Sequence, residues 1–188
     1  MSYQIKELKP ELAEDFLDFM GNTDFSSESH WNHCYCRFYH SDTSWEDWRE
    51  RSSEENRQEA YNAIKSGQMK GYLLYDEEKP IGWCNANDLK EFKRIKKEAE
   101  DRLDLSKKIG SIICFVIHPD YRKQGLSKKL MRRAVSDFQA MDYDLILALP
   151  VEFDKPEMRY RGNVSMYQEA GFQEIAREDI LSVMLYEI

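Results

Sequence analysis

The segment from Ser111 to Asp137, SIICFVIHPDYRKQGLSKKLMRRAVSD, changes its hydrophobic period halfway along, and that leaves few ways to fold it. Ile112 to Ile117 is a continuous apolar run rich in β-branched and aromatic residues, the pattern of a buried strand. His118-Pro119-Asp120 ends the run, because proline has no N–H to give to a ladder. Arg122 to Ser127 is a short basic loop with one glycine, Gly125. Beyond it Leu126, Leu130, Met131, Ala134, Val135 and Phe138 recur at helical spacing, with Lys128, Lys129, Arg132 and Arg133 between them. The unit is strand, tight turn, amphipathic helix.

Such a unit has a chemical consequence. The first N–H groups of a helix lack intrahelical partners, and the helix dipole places partial positive charge at the same end. Gly125 has no Cβ, so a ligand can approach the backbone. Arg122, Lys123 and Lys128 add full charges nearby. The sum is a site for a phosphate or pyrophosphate. Neither the G-x-x-x-x-G-K-[ST] of a nucleoside-triphosphate loop nor the G-x-G-x-x-G of a dinucleotide fold is present.

Arg122-x-x-Gly125-x-Ser127, set after a strand ending Phe115-Val116-Ile117-His118-Pro119, resembles the acyl-CoA loop of the GNAT superfamily of N-acyltransferases. Ser127 stands where glycine or alanine is commoner. A second stretch resembles the same family: Tyr167-Gln168-Glu169-Ala170-Gly171-Phe172 is similar to its C-terminal Tyr-x-x-x-Gly-Phe motif. The two motifs occur in the family's order. An asparagine often precedes that tyrosine by seven residues; here Tyr160 holds that position and Asn163 lies four residues upstream.

The resemblance implies acetyl-CoA as co-substrate and direct transfer to a primary amine. The pyrophosphate would sit on Arg122, Lys123, Gln124, Gly125, Leu126, Ser127 and Lys128, and Asn163 would stand in for the family asparagine that contacts the cofactor. The pantetheine would run beside Phe115, Val116 and Ile117. Backbone N–H groups near Val116 and Ile117 would stabilise the oxyanion. Tyr167 is the expected acid for the departing thiolate. Glu152, which leaves the strand Leu145–Leu149, is the first candidate for the base, with His118 and Glu28 as others. Cys114 could suggest an acyl-cysteine route; it reads as a buried strand residue with no base beside it.

Gly21 to Ser44 carries His30, Trp31, His33, Cys34, Tyr35, Cys36, Tyr39 and His40 within a few turns of chain. Imidazole and thiolate are good zinc ligands. Yet Cys-x-Cys is not a C-x₂-C knuckle, and no second pair follows at finger spacing. The favoured reading is an aromatic loop that walls a pocket, with no metal. It also looks like one subgroup of GNAT proteins, in which Trp31, Cys34, Tyr35, Cys36 and Tyr39 would border the acceptor.

Elsewhere Tyr3–Leu8 reads as a strand, and Pro10 to Met20 as a helix ended by Gly21. Trp45–Lys65 reads as a second helical region with a polar, solvated middle. Lys70–Asp76 and Ile81–Ala86 form a hairpin. Asp88–Lys108 is charged with sparse apolar positions; a solvated insertion is the favoured reading, with an exposed helix between strands or a lid over the acceptor pocket as the alternatives. Leu145–Leu149 is a buried parallel strand. Asn163–Ala170 is a short helix capped by Gly171, and Phe172–Ala176 and Ile180–Tyr186 end the chain as strands. The expected fold is α/β (α+β), a GNAT-like mixed, mostly antiparallel sheet with a central splayed parallel pair and flanking helices, in a single domain over 1–188.

The 188 residues are 41% hydrophobic and 33% charged, a globular balance with room for one core. The net charge of −8 argues against nucleic acid or anionic membrane as partners and is compatible with a cationic amine. The absence of an apolar leader or span, and four cysteines of which two lie in strands, fit a cytoplasmic monomer or homodimer without disulfides. Three functions stay open: acetylation of a small-molecule amine, acetylation of a protein lysine or N-terminus, and a non-catalytic acyl-CoA- or metal-binding regulator. The aromatic loop favours the first.

Overall fold

A computed structural model describes residues 3–25, 31–99, 101–152 and 160–188. Its strands are β1 (Tyr3–Glu7), β2 (Gly71–Asp76), β3 (Lys79–Asp88), β4 (Ile109–Ile117), β5 (Leu145–Ala148), β6 (Gln173–Glu178) and β7 (Leu181–Glu187). The described residues form one sheet in the order β1-β2-β3-β4-β5-β7-β6. Within it β4 and β5 pair in parallel and the remaining neighbours are antiparallel. The mixed sheet with one central parallel pair is the expected fold.

The helices are α1 (Ala13–Asn22), α2 (Trp31–Cys34), α3 (Trp45–Glu50), α4 (Ser53–Lys65), α5 (Lys93–Ala99), α6 (Leu126–Ala140) and α7 (Val164–Gln168). On one face α6 buries Leu126, Leu130, Met131, Ala134 and Phe138 against Tyr72, Ile112, Phe115 and Ile117 of the sheet. Burying a side chain such as Leu130 contributes about 1.5–3 kcal/mol. The opposite face carries α1, α2 and α4 over Leu73, Trp83, Cys114 and Val116.

Three expectations change. The region Trp45–Lys65 is two helices, because Ser52 starts a new one: its hydroxyl accepts from Glu55 N–H while the Glu55 carboxylate takes Ser52 N–H, a capping box. Gly21 lies inside the last turn of α1, not after it. A Cβ there would stand 2.6 Å from the Tyr35 hydroxyl, so glycine is what lets the aromatic loop close on α1.

The third concerns 88–108, which is not a solvated insertion. Leu89, Phe92, Ile95 and Leu103 are buried with Tyr39, Ile109 and Ile113. Arg94 donates to the carbonyls of Phe38 and Thr43, and its guanidinium stacks over the Phe38 ring. The segment clamps the aromatic loop from below, and none of its described residues lines the cavity beside that loop.

Candidate active site

The site begins with a bulge. Along β4 the partners in β3 run Asn85↔Cys114 and then Ala86↔Ile112, so Ile113 is an extra residue. Strict alternation is lost there. Ile113 and Cys114 both face away from α6, while Phe115 and Ile117 face it and Val116 does not. The ladder to β5 stops at the same place: its last pair is Ile112↔Ala148, and β4 continues five residues further to Ile117.

Among the described strands, that leaves an open edge. His118 N–H donates to Ile81 O at 2.9 Å, so even-numbered residues at this end of β4 turn their backbone groups to β3. Val116 is therefore engaged with β3. Phe115 and Ile117 present theirs on the side that β5 has left.

At one end of this edge is the basic loop. Gly125 precedes α6 in the left-handed region at φ +71°, without a side-chain cap. A Cβ at Gly125 would meet nothing within 4 Å, so the loop backbone is open. Lys123, at φ +61°, is exposed. Lys128 pairs with Glu169 on the turn after α7. Gln124 accepts from the Tyr3 hydroxyl at 2.9 Å. The Leu126 side chain is buried in the core, so this residue and half-buried Ser127 offer the loop their backbone. The Arg122 guanidinium turns back, donating to Ile117 O at 3.1 Å and lying over the Trp31 ring. It joins the loop to the aromatic segment.

At the branch of β4 and β5 stands Tyr167, fully buried against Phe115 and Phe172. Its hydroxyl donates to Arg161 O at 3.2 Å and lies 3.5 Å from Ile112 O. Burial pushes this phenol well above its usual range, so it carries its proton at neutral pH. Asn163 is spent locally: its side chain accepts from Met166 N–H and caps α7.

On the other face of β4 is a cavity of about 390 Å³. Cys114 and Val116 line it from β4. The aromatic segment adds Trp31, Phe38, Tyr39, Trp45 and Trp48, and Tyr160 closes another side. Cys34 and Cys36 line it, whereas Tyr35 packs behind it against α1. Both Tyr35 (φ +41°) and Cys36 (φ +53°) occupy left-handed backbone, which costs of order 1–3 kcal/mol each. Burial of both side chains holds that turn in place, together with a hydrogen bond of 3.3 Å from the Asn85 amide to Cys36 O.

Asn85 also meets His40. The His40 Nδ1 lies 3.0 Å from Glu91 O and must donate to it, which leaves Nε2 to accept from the Asn85 amide at 3.3 Å. Burial, aided by the Arg37 charge, lowers the imidazole to about 3, so His40 is neutral and structural. Burial also pushes the Cys34 thiol up to about 12, and the Cys114 contact raises Cys36 further. No group of three or more His, Cys, Asp or Glu among the described residues could hold a metal ion; His30 lies outside them.

Of the bases expected from the sequence, Glu152 is exposed and ion-paired with Arg177 of β6, away from the cavity. His118 accepts Asp120 N–H at 3.3 Å and caps the turn after β4. Glu28 lies outside the described residues. Sequence reasoning missed Arg49, Arg51 and Asn56 on the cavity wall and weighed His33 only as a metal ligand. It also missed Arg161, whose guanidinium donates to the Tyr39 hydroxyl, itself 2.9 Å from Tyr160. Thus Arg161 binds the aromatic segment through its side chain and Tyr167 through its carbonyl.

Residues 30–172 match the sequence model of the acetyltransferase (GNAT) family. No curated protein matches the chain. Among solved structures, the chain is similar to the PaiA N-acetyltransferase of Thermoplasma acidophilum in complex with coenzyme A, at 14% identity and a TM-score of 0.59 over 100% of both chains. It is similar to a GNAT-family acetyltransferase of Listeria monocytogenes at 14% identity and TM-score 0.60, covering 99% of this chain and 95% of that one. The ribosomal-protein-S5-alanine acetyltransferase of Vibrio fischeri aligns at 12% identity and TM-score 0.58, over 100% and 93%.

Proposed function

The chain belongs to the GNAT acetyltransferase family, and on that premise we propose that it is an acetyl-CoA-dependent N-acetyltransferase acting on a primary amine of a small molecule. One observation carries the reading. The free edge of β4 runs from the open Gly125 loop to Tyr167, with a cavity on its other face.

The residues present fit the co-substrate. A Cβ-free, left-handed Gly125 ahead of the fifteen-residue α6 leaves backbone N–H groups open to a pyrophosphate. Lys123 adds charge there, and Phe115 and the Ile117 N–H offer backbone groups along an edge that no described strand pairs. Acetyl-CoA supplies the acetyl group as an activated thioester. A single N–H on this edge, that of Phe115 or of Ile117, would hold the carbonyl oxygen as it gains charge; two residues apart on a strand, the two cannot share one oxygen. Tyr167, which carries its proton at neutral pH, gives it to the departing sulfur. An ammonium is not nucleophilic, so a base must take its proton. His33 is the imidazole among the described lining residues, and we assign it that role. The C–N bond then forms as the C–S bond breaks.

The aromatic walls favour a small acceptor over a protein surface. The test is thiol release from acetyl-CoA with a panel of small primary amines and peptides with free lysine or N-terminus. Turnover of one class of small amine supports the reading; turnover of the peptides alone would replace it.

A further inference from the structure

Among the described residues, the charges on the cavity wall are of one sign. Its described lining residues include Arg49 and Arg51 and contain no Asp or Glu, although the chain as a whole carries a net charge of −8. Arg51 donates to the Asn56 side-chain Oδ1 at 2.8 Å, pairs with Glu59 and lies over the Trp48 ring. Glu59 is shared, since Arg37 reaches it at 3.5 Å. Two guanidiniums thus divide one carboxylate. Arg49 stacks over Trp45 and has no ion pair among the described residues. Glu46, Asp47 and Glu50 of the same short helix are exposed and do not line the cavity.

A wall of this kind repels a polyamine and suits an anion. The rest of the lining is largely aromatic, with the thiols of Cys34, Cys36 and Cys114 and the thioether of Met20. Resting on the acetyltransferase reading above, we propose that the acceptor is an amine that also bears a carboxylate, an apolar or aromatic amino acid in class, with the carboxylate against Arg49 and Arg51. Arginine is suited to this role, because its planar fork matches a carboxylate with two parallel hydrogen bonds. The apolar body fills the aromatic walls, and the amine faces β4. One uncompensated guanidinium beside a half-compensated one matches a monoanion better than a phosphate dianion.

The experiment compares matched amines by thiol release and by calorimetry on the acetyl-CoA-loaded protein. L-Phenylalanine and L-methionine form the carboxylate series. Their amides and the decarboxylated amines form the second series, and O-phosphoethanolamine the phosphate arm. The expected kcat/KM is about tenfold or more higher for the carboxylates, the usual scale of one charge-assisted pair. R49Q shrinks that ratio through KM, with kcat little altered, and R49K restores part of it. Equal or better use of the amides, of the decarboxylated amines or of the phosphate overturns the proposal. So does failure of every series to bind while acetyl-CoA binds. Failure of acetyl-CoA itself to bind removes the transferase reading instead, so the two failures are distinguishable.

Discussion

The sulfur of Cys36 lies 3.7 Å from the sulfur of Cys114, so the tip of the aromatic segment rests on the central strand at the cavity floor. Both thiols are buried and unbridged. The contact secures two left-handed residues that the local chain alone would not hold. C36A is expected to lower stability by about 1 kcal/mol, the scale of deleting one buried group of methyl size. It should raise the acceptor KM while sparing acetyl-CoA affinity. Urea unfolding and steady-state kinetics check the two effects. Four thiols should titrate in denatured protein without reductant.

Tyr167 joins the C-terminal motif to the branch of the sheet through its hydroxyl. Y167F keeps the ring packing against Phe115 and Phe172. Its kcat is expected to fall about 100-fold, the low end of general-acid contributions. Acetyl-CoA affinity should stay within about threefold, since no charge is removed, and stability should drop by about 1 kcal/mol for the lost donor. Single-turnover kinetics beside calorimetry separates these. An unchanged kcat would remove Tyr167 from the acid role.

His40 ties stability to pH. Its folded pKa, about 3, lies below the 6.5 of an unfolded histidine. Between these values the unfolded chain binds the extra proton. The contribution of neutral His40 is therefore fully present above pH 6.5 and lost as pH falls towards 3, by at most about 1.4 kcal/mol per pH unit. Chemical unfolding at pH 7, 6 and 5 should show this slope, and H40Q should flatten it at the cost of lower stability at pH 7.

As the proposed base, His33 acts on the acceptor amine. H33Q is expected to lower kcat/KM at pH 7 by about tenfold or more, within the range of base catalysis. The deficit should shrink as pH approaches the pKa of the amine, where free base is already abundant. A pH profile of kcat/KM decides this; a deficit constant across pH would leave His33 only a packing role.

Much of the cofactor side was legible in the chain. The strand, the Gly125 turn and α6 lie in one segment, and their periods are local properties of the backbone. Tyr167 and Gly171 were readable for the same reason. The acceptor side was not. Tyr39 meets Tyr160 across 121 positions, and Arg161 reaches Tyr39 across 122. Arg49 and Arg51 read as part of one solvated helix; α3 in fact ends at Glu50, and the two line the cavity at its exposed side beside Trp45 and Trp48. The bulge at Ile113 leaves no mark in a run of uniformly apolar residues, although it decides which side chains of β4 face the cavity. Glu152 fits the end of β5 by position, but its backbone bond to Ile180 O holds it over β6 and Arg177.

The proposed function depends above all on the open β4 edge and the Gly125 loop holding acetyl-CoA. Calorimetry with the wild type and G125E puts this to the test. At φ +71° a side chain strains the turn, and a carboxylate there repels pyrophosphate. Unfolding curves establish that G125E is folded. The wild type is expected to bind saturably, and the variant to lose at least about a hundredfold in affinity, about 2.7 kcal/mol. No binding by the wild type, or equal binding by both proteins, would contradict the assignment of the loop.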